Sequence, residues 1–275
     1  MPPPGPCSDV RLAPEAEAAG YRLLALDTTP STNDEAAAAA RQGDPGRLWI
    51  VAGEQRAGRG RHGRHWTSPP GNLYASLLLI DPCEPAAAPQ LGFIAGLALH
   101  QAVAAETGLG PPRLALKWPN DLLLDSAKVA GLLLEGHHGP DAPFAVVIGF
   151  GVNIAAAPEN AAYPAKALRA FRSDLSPETL FSFLSRSFAQ NFDAWRTARA
   201  SGAGDPFQTV RSEWLARAAG VGETVSVRLP SGERKGSFAG LDPAGRLQLR
   251  TSLGTELIDA GDLFFPALSA AHAVS

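Results

Sequence analysis

The stretch LWIVAGEQRAGRGRHGRHWTSPPGNLYASLLLI, residues 48–80, reads as two short apolar runs around a basic, glycine-rich centre. Each run is short and bounded by turn residues, so both are predicted strands. The centre, GRGRHGRHW at residues 58–66, is then a loop whose ends are fixed by sheet pairing. Its glycines let main-chain N–H groups approach a ligand closely, and its arginines offer forked, permanently charged donors suited to carboxylate and phosphate. With a formal net charge of -3, the whole chain has no general attraction for polyanions, so an anion site has to be local. Two other readings of the loop are a solvated basic hairpin tip and a contact with single-stranded nucleic acid. A basic stretch of nine residues in an acidic protein argues against the second.

Further apolar runs lie outward of this centre: RLALKWPNDLLL, KVAGLLLE and FAVVIGFGVNI, with one clear helical segment, QLGFIAGLALHQAVAAETG. Together they predict an α+β fold, a mixed sheet with helices packed against it. STNDEAAAAARQG reads as a helix, with Thr32/Glu35 or Ser31/Asp34 as a capping box and Gly43 as a stop. Its N-terminus projects Ser31, Thr32 and Asn33. In SPETLFSFLSRSFAQNFDAWRTARA a serine precedes Pro177, and Leu180, Phe183, Leu184, Phe188, Phe192 and Trp195 share one face. DPFQTVRSEWLARAAG adds another helix. After Gly220 the chain turns to short alternating strands broken by Ser231-Gly232 and Pro243-Ala244-Gly245, the spacing of a small β-barrel. The expected division is a flexible, proline-rich leader at 1–20, a catalytic-size domain at 21–219, a β-module at 220–268 and a tail at 269–275.

Polar residues interrupt the apolar runs at few places. Lys117, Asn120, Asp121 and Lys128 do so in KWPNDLLLDSAK, where Pro119 also breaks the ladder. Lys128 suits a site where negative charge develops, and Asp121 suits a divalent metal on phosphates. Read alone, the same stretch is also an exposed hairpin with charged tips. Gly149 and Gly151 flank Phe150 before Asn153, a pattern shared by ligand approach and by a bulge or tight packing. Gln55 and Ser31 carry both donor and acceptor character, enough to read a neutral amide or urea head group. The six histidines form no metal-ligand spacing. Neither a G-x-S-x-G elbow nor a G-x-x-x-x-G-K-[ST] loop occurs.

Taken in order, STND, EQRAGRGRHGRHW, GNLYAS, KWPNDLLL, KVAGLLLE and GFGVNI resemble the biotin protein ligases over about residues 20–155, and the β-module resembles that family's SH3-like C-terminal domain. The resemblance implies a class II synthetase-like catalytic fold and two half-reactions. Biotin's carboxylate attacks the α-phosphate of ATP, giving biotinyl-5'-AMP and pyrophosphate, and a carrier lysine then takes the biotinyl group and releases AMP. Carried over motif by motif, Lys128 and Arg61 are the catalytic residues. Ser31, Thr32, Asn33, Gln55, Arg59, Gly60, Gly131, Gly149 and Gly151 join them around biotin. Arg64, Trp66, Asn120, Asp121 and Asn153 join them around ATP and the adenylate, with Asp121 a candidate Mg²⁺ ligand.

The acceptor implied is a biotin carboxyl carrier protein, such as the carrier domain of acetyl-CoA carboxylase. Some relatives carry an N-terminal winged helix, absent here, so no DNA partner is expected. Some present a basic residue from the C-terminal module toward ATP, whereas this chain ends GDLFFPALSAAHAVS. A flat sheet edge would either pair two copies as a homodimer or dock the carrier. Lipoate or octanoate ligases share the fold but need an apolar tunnel in place of polar head-group readers, and a non-catalytic biotin sensor would not need Lys128. No signal peptide or membrane span is read, and Cys7 and Cys83 are too few for a disulfide framework, so the expected compartment is the cytoplasm.

Overall fold

The structure, a computed structural model, describes residues 9–139, 142–159 and 163–265. In chain order it contains α1 (Pro14–Ala18), β1 (Arg22–Thr29), α2 (Thr32–Arg41), β2 (Leu48–Gln55), β3 (Leu73–Ile80) and α3 (Ala88–Thr107). There follow β4 (Leu114–Lys117), β5 (Asp121–Leu124), β6 (Ala127–Gly139), β7 (Ala142–Val152), α4 (Pro177–Ser201) and α5 (Gln208–Leu215). Five short strands complete the chain: β8 (Thr224–Leu229), β9 (Gly232–Leu241), β10 (Leu247–Thr251), β11 (Gly254–Ile258) and β12 (Asp262–Phe264).

Strands β1 to β7 form one mixed sheet in the order β1-β2-β3-β7-β6-β5-β4, parallel only between β1 and β2. Of the two readings of KWPNDLLL, an interrupted strand and a hairpin with exposed charged tips, it folds as the β4–β5 hairpin, with Lys117 opposite Asp121 but buried, not exposed. Side chains alternate across a strand, so each strand serves two faces. On one face Trp49, Val51, Leu77, Ile148 and Phe150 enter the main core with α3 and α4. There Trp49 packs edge-on against Phe181 and Phe188. On the other face Leu48, Ile50, Leu78, Ala145 and Val147 meet α2, which contributes the small side chains of Ala36, Ala39 and Ala40. The helix is capped by Ser31, whose hydroxyl accepts from the Asp34 N–H; Thr32 makes no such cap. Glu35 instead accepts from Thr29.

The expected flexible leader is overturned over its described part. Val10, Leu12, Ala13 and Ala16 are buried, and the Ala13 N–H donates to Ser185 of α4 at 3.0 Å. Short, alanine-weighted apolar spacing is enough to dock this segment, because α4 already offers an apolar face. Residues 1–8 and 266–275, which include the expected tail, lie outside the described residues.

Strands β8 to β12 make the five-stranded antiparallel sheet of the C-terminal module, in the order β11-β10-β9-β8-β12. The module is seated on the first domain. Gln90 donates to the Pro243 carbonyl at 3.3 Å, Phe93 lies where a side chain on Gly245 would go, and Arg61 donates to the Gly261 carbonyl at 3.1 Å. This seating carries β12 to the mouth of the cleft described next.

Candidate active site

The face of the sheet that carries α2 runs out of apolar residues partway along. Cross-strand rows on this face read Ser76, Gly149, Leu133 and then Tyr74, Gly151, Gly131. A floor of small residues under an unfilled sheet face makes a cleft, and its volume is about 380 Å³. Its walls include Ser31, Thr32, Asn33, Gln55, Arg59, Gly60, Arg61, Arg64, Trp66, Asn120, Asp121, Lys128, Gly131, Gly149, Gly151 and Asn153, so every site residue expected from the sequence borders one cavity.

The glycines are explained by what lies on them. A Cβ on Gly151 would stand 2.6 Å from the Trp66 indole, and one on Gly131 would stand 3.2 Å from the same ring and 3.1 Å from the Lys128 ammonium. One on Gly149 would meet Asn33 Oδ1 at 2.3 Å. Two paired glycines are thus a shelf for Trp66, and the third is a socket for Asn33. Trp66 ends the arginine loop, so the shelf fixes that loop over the cleft.

One end of the cleft is neutral and densely hydrogen-bonded. Gln55 Oε1 accepts from the Thr32 N–H at 2.9 Å and from its hydroxyl at 3.0 Å, while Gln55 Nε2 donates to Ser68 at 3.1 Å. Ser68 in turn donates to the Trp66 carbonyl at 3.0 Å. Ser76 lies 2.7 Å from the Thr32 hydroxyl and 2.6 Å from Asn33 Oδ1. Asn33 Nδ2 donates to Glu135 at 2.6 Å. Ser31, Thr32 and Asn33 are all buried, held by the N-terminus of α2. Such an end can exchange donors and acceptors with a neutral polar head group, the Arg59–Glu135 ion pair beside it being closed on itself.

The other end is charged. Lys128 Nζ stands 2.6 Å from Asp121 and 5.3 Å over the Trp66 ring. Lys117, buried beneath, faces the second Asp121 oxygen at 4.0 Å and the Tyr163 ring at 3.9 Å. Burial lowers the pKa of Lys117. Arg61 donates to Asn120 Oδ1 at 3.2 Å and to the Gly261 carbonyl at 3.1 Å, and burial lowers its pKa too. Arg64 pairs with Asp262 of β12. Burial opposes the Asp262 charge, but Arg64 and Arg61 outweigh it and hold that carboxyl below its usual range. The Tyr163 hydroxyl is buried without a partner among the described residues, and burial pushes its pKa up to about 12.

A metal held by the protein does not fit these residues. Both oxygens of Asp121 face ammonium groups, and no group of three His, Cys, Asp or Glu side chains gathers among the described residues. Arg59 also departs from its expected place. Its guanidinium turns to Asp34 and Glu135 at 2.6 and 3.0 Å, not to the throat. Four residues that sequence reasoning did not single out, Ser68, Ser76, Glu135 and Asp262, hold the expected ones in position. Except for Ser68, which meets Trp66 and Gln55, their partners lie far away in the sequence, and the local hint was their polarity within or beside apolar strands.

A neutral polar end and a cationic end under one glycine-arginine loop suit a small acid with a polar head group at one end and a phosphate at the other. The comparisons agree. Residues 26–153 match the biotin/lipoate A/B protein ligase family, and residues 220–265 match the biotin protein ligase C-terminal domain. The chain is 40% identical to the biotin–[acetyl-CoA-carboxylase] ligase of Paracoccus denitrificans, over 87% of this chain and 99% of the relative. It superposes on the Aquifex aeolicus biotin protein ligase in complex with biotin and ATP with a TM-score of 0.74 and 26% identity, covering 88% and 97% of the two chains. A Leishmania major biotin protein ligase bound to biotinyl-5-AMP gives a TM-score of 0.57 at 25% identity, covering 87% and 99%. The chain belongs to the biotin protein ligase family. No helix among the described residues is long and apolar enough to cross a membrane.

Proposed function

We propose that the neutral end of the cleft holds the ureido ring of biotin, and that Arg61 and Lys128 hold its carboxylate against the α-phosphate of ATP. The carboxylate oxygen attacks that phosphorus, the bond to the bridging oxygen breaks, and pyrophosphate leaves. Carboxylate and triphosphate repel each other, so fixed guanidinium and ammonium groups are needed to bring them together. Lys128 is the group best placed to answer the charge that grows on the acyl and phosphoryl oxygens. Asn120 positions Arg61, and Arg64 and Asn153 face the nucleotide. Any Mg²⁺ the reaction needs would enter with the nucleotide and offset its phosphate charge, since Asp121 is taken up by Lys117 and Lys128.

In the second half-reaction the ε-amine of a lysine on a carboxylase carrier domain attacks the acyl carbon of biotinyl-5'-AMP. An amide forms, AMP leaves and the amine gives up a proton. Acyl adenylates hydrolyse, so the loop at residues 58–66 must keep water away until the carrier arrives. The single observation that carries this reading is the gradient along one cleft, from uncharged hydrogen-bonding groups at α2 to the cations Lys117 of β4, Lys128 of β6 and Arg61 of the loop. A lipoyl chain would meet hydrogen-bonding groups where it needs an apolar tunnel. The test is ATP-dependent biotinylation of a carrier domain by the wild type and by Lys128→Ala. Transfer by the wild type alone supports the reading, and equal transfer by both overturns the role of Lys128.

A further inference from the structure

Arg59 is the basic residue of the loop that does not point into the throat. Its Nη2 donates to Asp34 at 2.6 Å, its Nη1 donates to Glu135 Oε1 at 3.0 Å, and Nη2 also reaches Glu135 Oε2 at 3.4 Å. Two carboxylates from two different elements, the first turn of α2 and strand β6, therefore converge on one guanidinium from the covering loop. The fork on Glu135 is bidentate, the geometry in which a partly exposed ion pair contributes most. Opposite it, the far end of the loop is tied by its own route, with the Trp66 carbonyl accepting from Ser68 and the Trp66 ring on the glycine shelf.

Glu135 does a second thing. The same carboxylate accepts from Asn33 Nδ2 at 2.6 Å, which fixes the Asn33 amide with Oδ1 toward Ser76 and the Gly149 socket. Through Ser76, Thr32, Gln55 and Ser68 the hydrogen bonds then run on to the Trp66 carbonyl. Both ends of the covering loop are thus fastened to the side chains that surround the neutral head group.

We infer that Glu135 and Asp34 are positioning residues for the reaction: they latch Arg59 and so hold the loop shut over the acyl adenylate between the two half-reactions. This rests on the reading of the loop as the cover of biotinyl-5'-AMP. A latch acts on retention of the intermediate, not on its chemistry. Neither carboxylate stands at the Arg61–Lys128 throat, so the rate of pyrophosphate release is set elsewhere.

The test uses the full chain with biotin and ATP and no carrier, and follows pyrophosphate release together with free biotinyl-5'-AMP in solution, measured by mass. Asp34→Asn, which leaves the Glu135–Asn33 bond in place, is expected to form the adenylate at the wild-type rate and to release it faster, and Asp34→Asn/Glu135→Gln is expected to release it about five- to tenfold faster relative to the rate at which it forms. Raising salt to about 0.5 M is expected to speed release from the wild type and to leave the double variant nearly unchanged, because the pairs it screens are already gone. Arg59→Ala should release as fast as the double variant, and combining all three changes should add nothing. Should the double variant melt far below the wild type, Asp34→Asn alone gives the same comparison, since that carboxylate is exposed. Normal formation with unchanged retention, or additive effects of Arg59→Ala and the carboxylate changes, would overturn the latch alone. No adenylate from the wild type would overturn the reading of the site, and the latch with it.

Discussion

The two ends of the cleft solve opposite problems with the same sheet. At the α2 end every reader is already satisfied within the protein: Thr32 by Gln55, Gln55 by Ser68, and Asn33 by Ser76 and Glu135. At the throat the charges are left in excess, with Arg61, Arg64, Lys117 and Lys128 facing the two carboxylates Asp121 and Asp262. A neutral ligand end can be built from complete hydrogen-bond networks, since a guest exchanges one bond for another at little net cost. A polyanion end is better left short of negative charge, because the substrate completes it. The difference assigns substrate recognition mainly to the first end and rate mainly to the second.

Substitutions that separate the two ends test this division, and the largest effect belongs to the throat. Lys128→Ala should lower kcat for adenylate formation by about 10²–10³-fold, as expected for loss of a group aimed at developing charge. Biotin affinity should change far less, which equilibrium dialysis of biotin without ATP would show. Gly149→Ala strikes the neutral end through packing: its Cβ would stand 2.3 Å from Asn33 Oδ1. The displaced Asn33 should cost about 1–3 kcal/mol in stability by denaturant titration, together with a marked loss of biotin binding. Gln55→Ala removes the acceptor for both Thr32 donors, and biotin's KM should rise about tenfold with ATP's KM unchanged. A matching rise in both constants would break the division.

The smallest effect expected is on Lys117. Its buried ammonium has a pKa below the ordinary lysine value of 10.5. Between the lowered value and 10.5 the unfolded chain binds more protons than the folded one, so this residue makes stability rise with pH across that interval. Lys117→Met should remove that rise and, by relieving the burial of a charge, stabilise the protein by about 1 kcal/mol near neutral pH. Thermal melts at neutral and alkaline pH would read both.

Much of this was legible in the sequence, for identifiable reasons. α4 announced itself through Ser176, Pro177 and the spacing of Leu180, Leu184, Phe188 and Trp195, all buried on one face. Strands β2, β3 and β7 were legible as apolar runs, because both their faces are covered. The cleft residues were legible because polar and glycine positions inside such runs have few structural uses. The meaning of the glycines was not legible. Gly151 and Trp66 are adjacent only once β7 is in the sheet and the loop has folded over it, so the residue occupying the space above Gly151 could not be read from its neighbours. The same holds for Glu135, which meets Arg59 across 76 positions, and for Asp262, which meets Arg64 across 198. Charged partners at that range leave no periodic trace. The docked segment before β1 was hidden for a different reason, since alanine and proline dominate its composition and only Val10 and Leu12 signal burial.

The central claim is that the neutral end selects the acid which the throat activates. It is tested most directly by giving the enzyme ATP with either biotin or lipoate and weighing the adenylates that form. The account predicts biotinyl-5'-AMP and no lipoyl-AMP, with the product lost in Lys128→Ala. Lipoyl-AMP formed in preference to biotinyl-5'-AMP would contradict it.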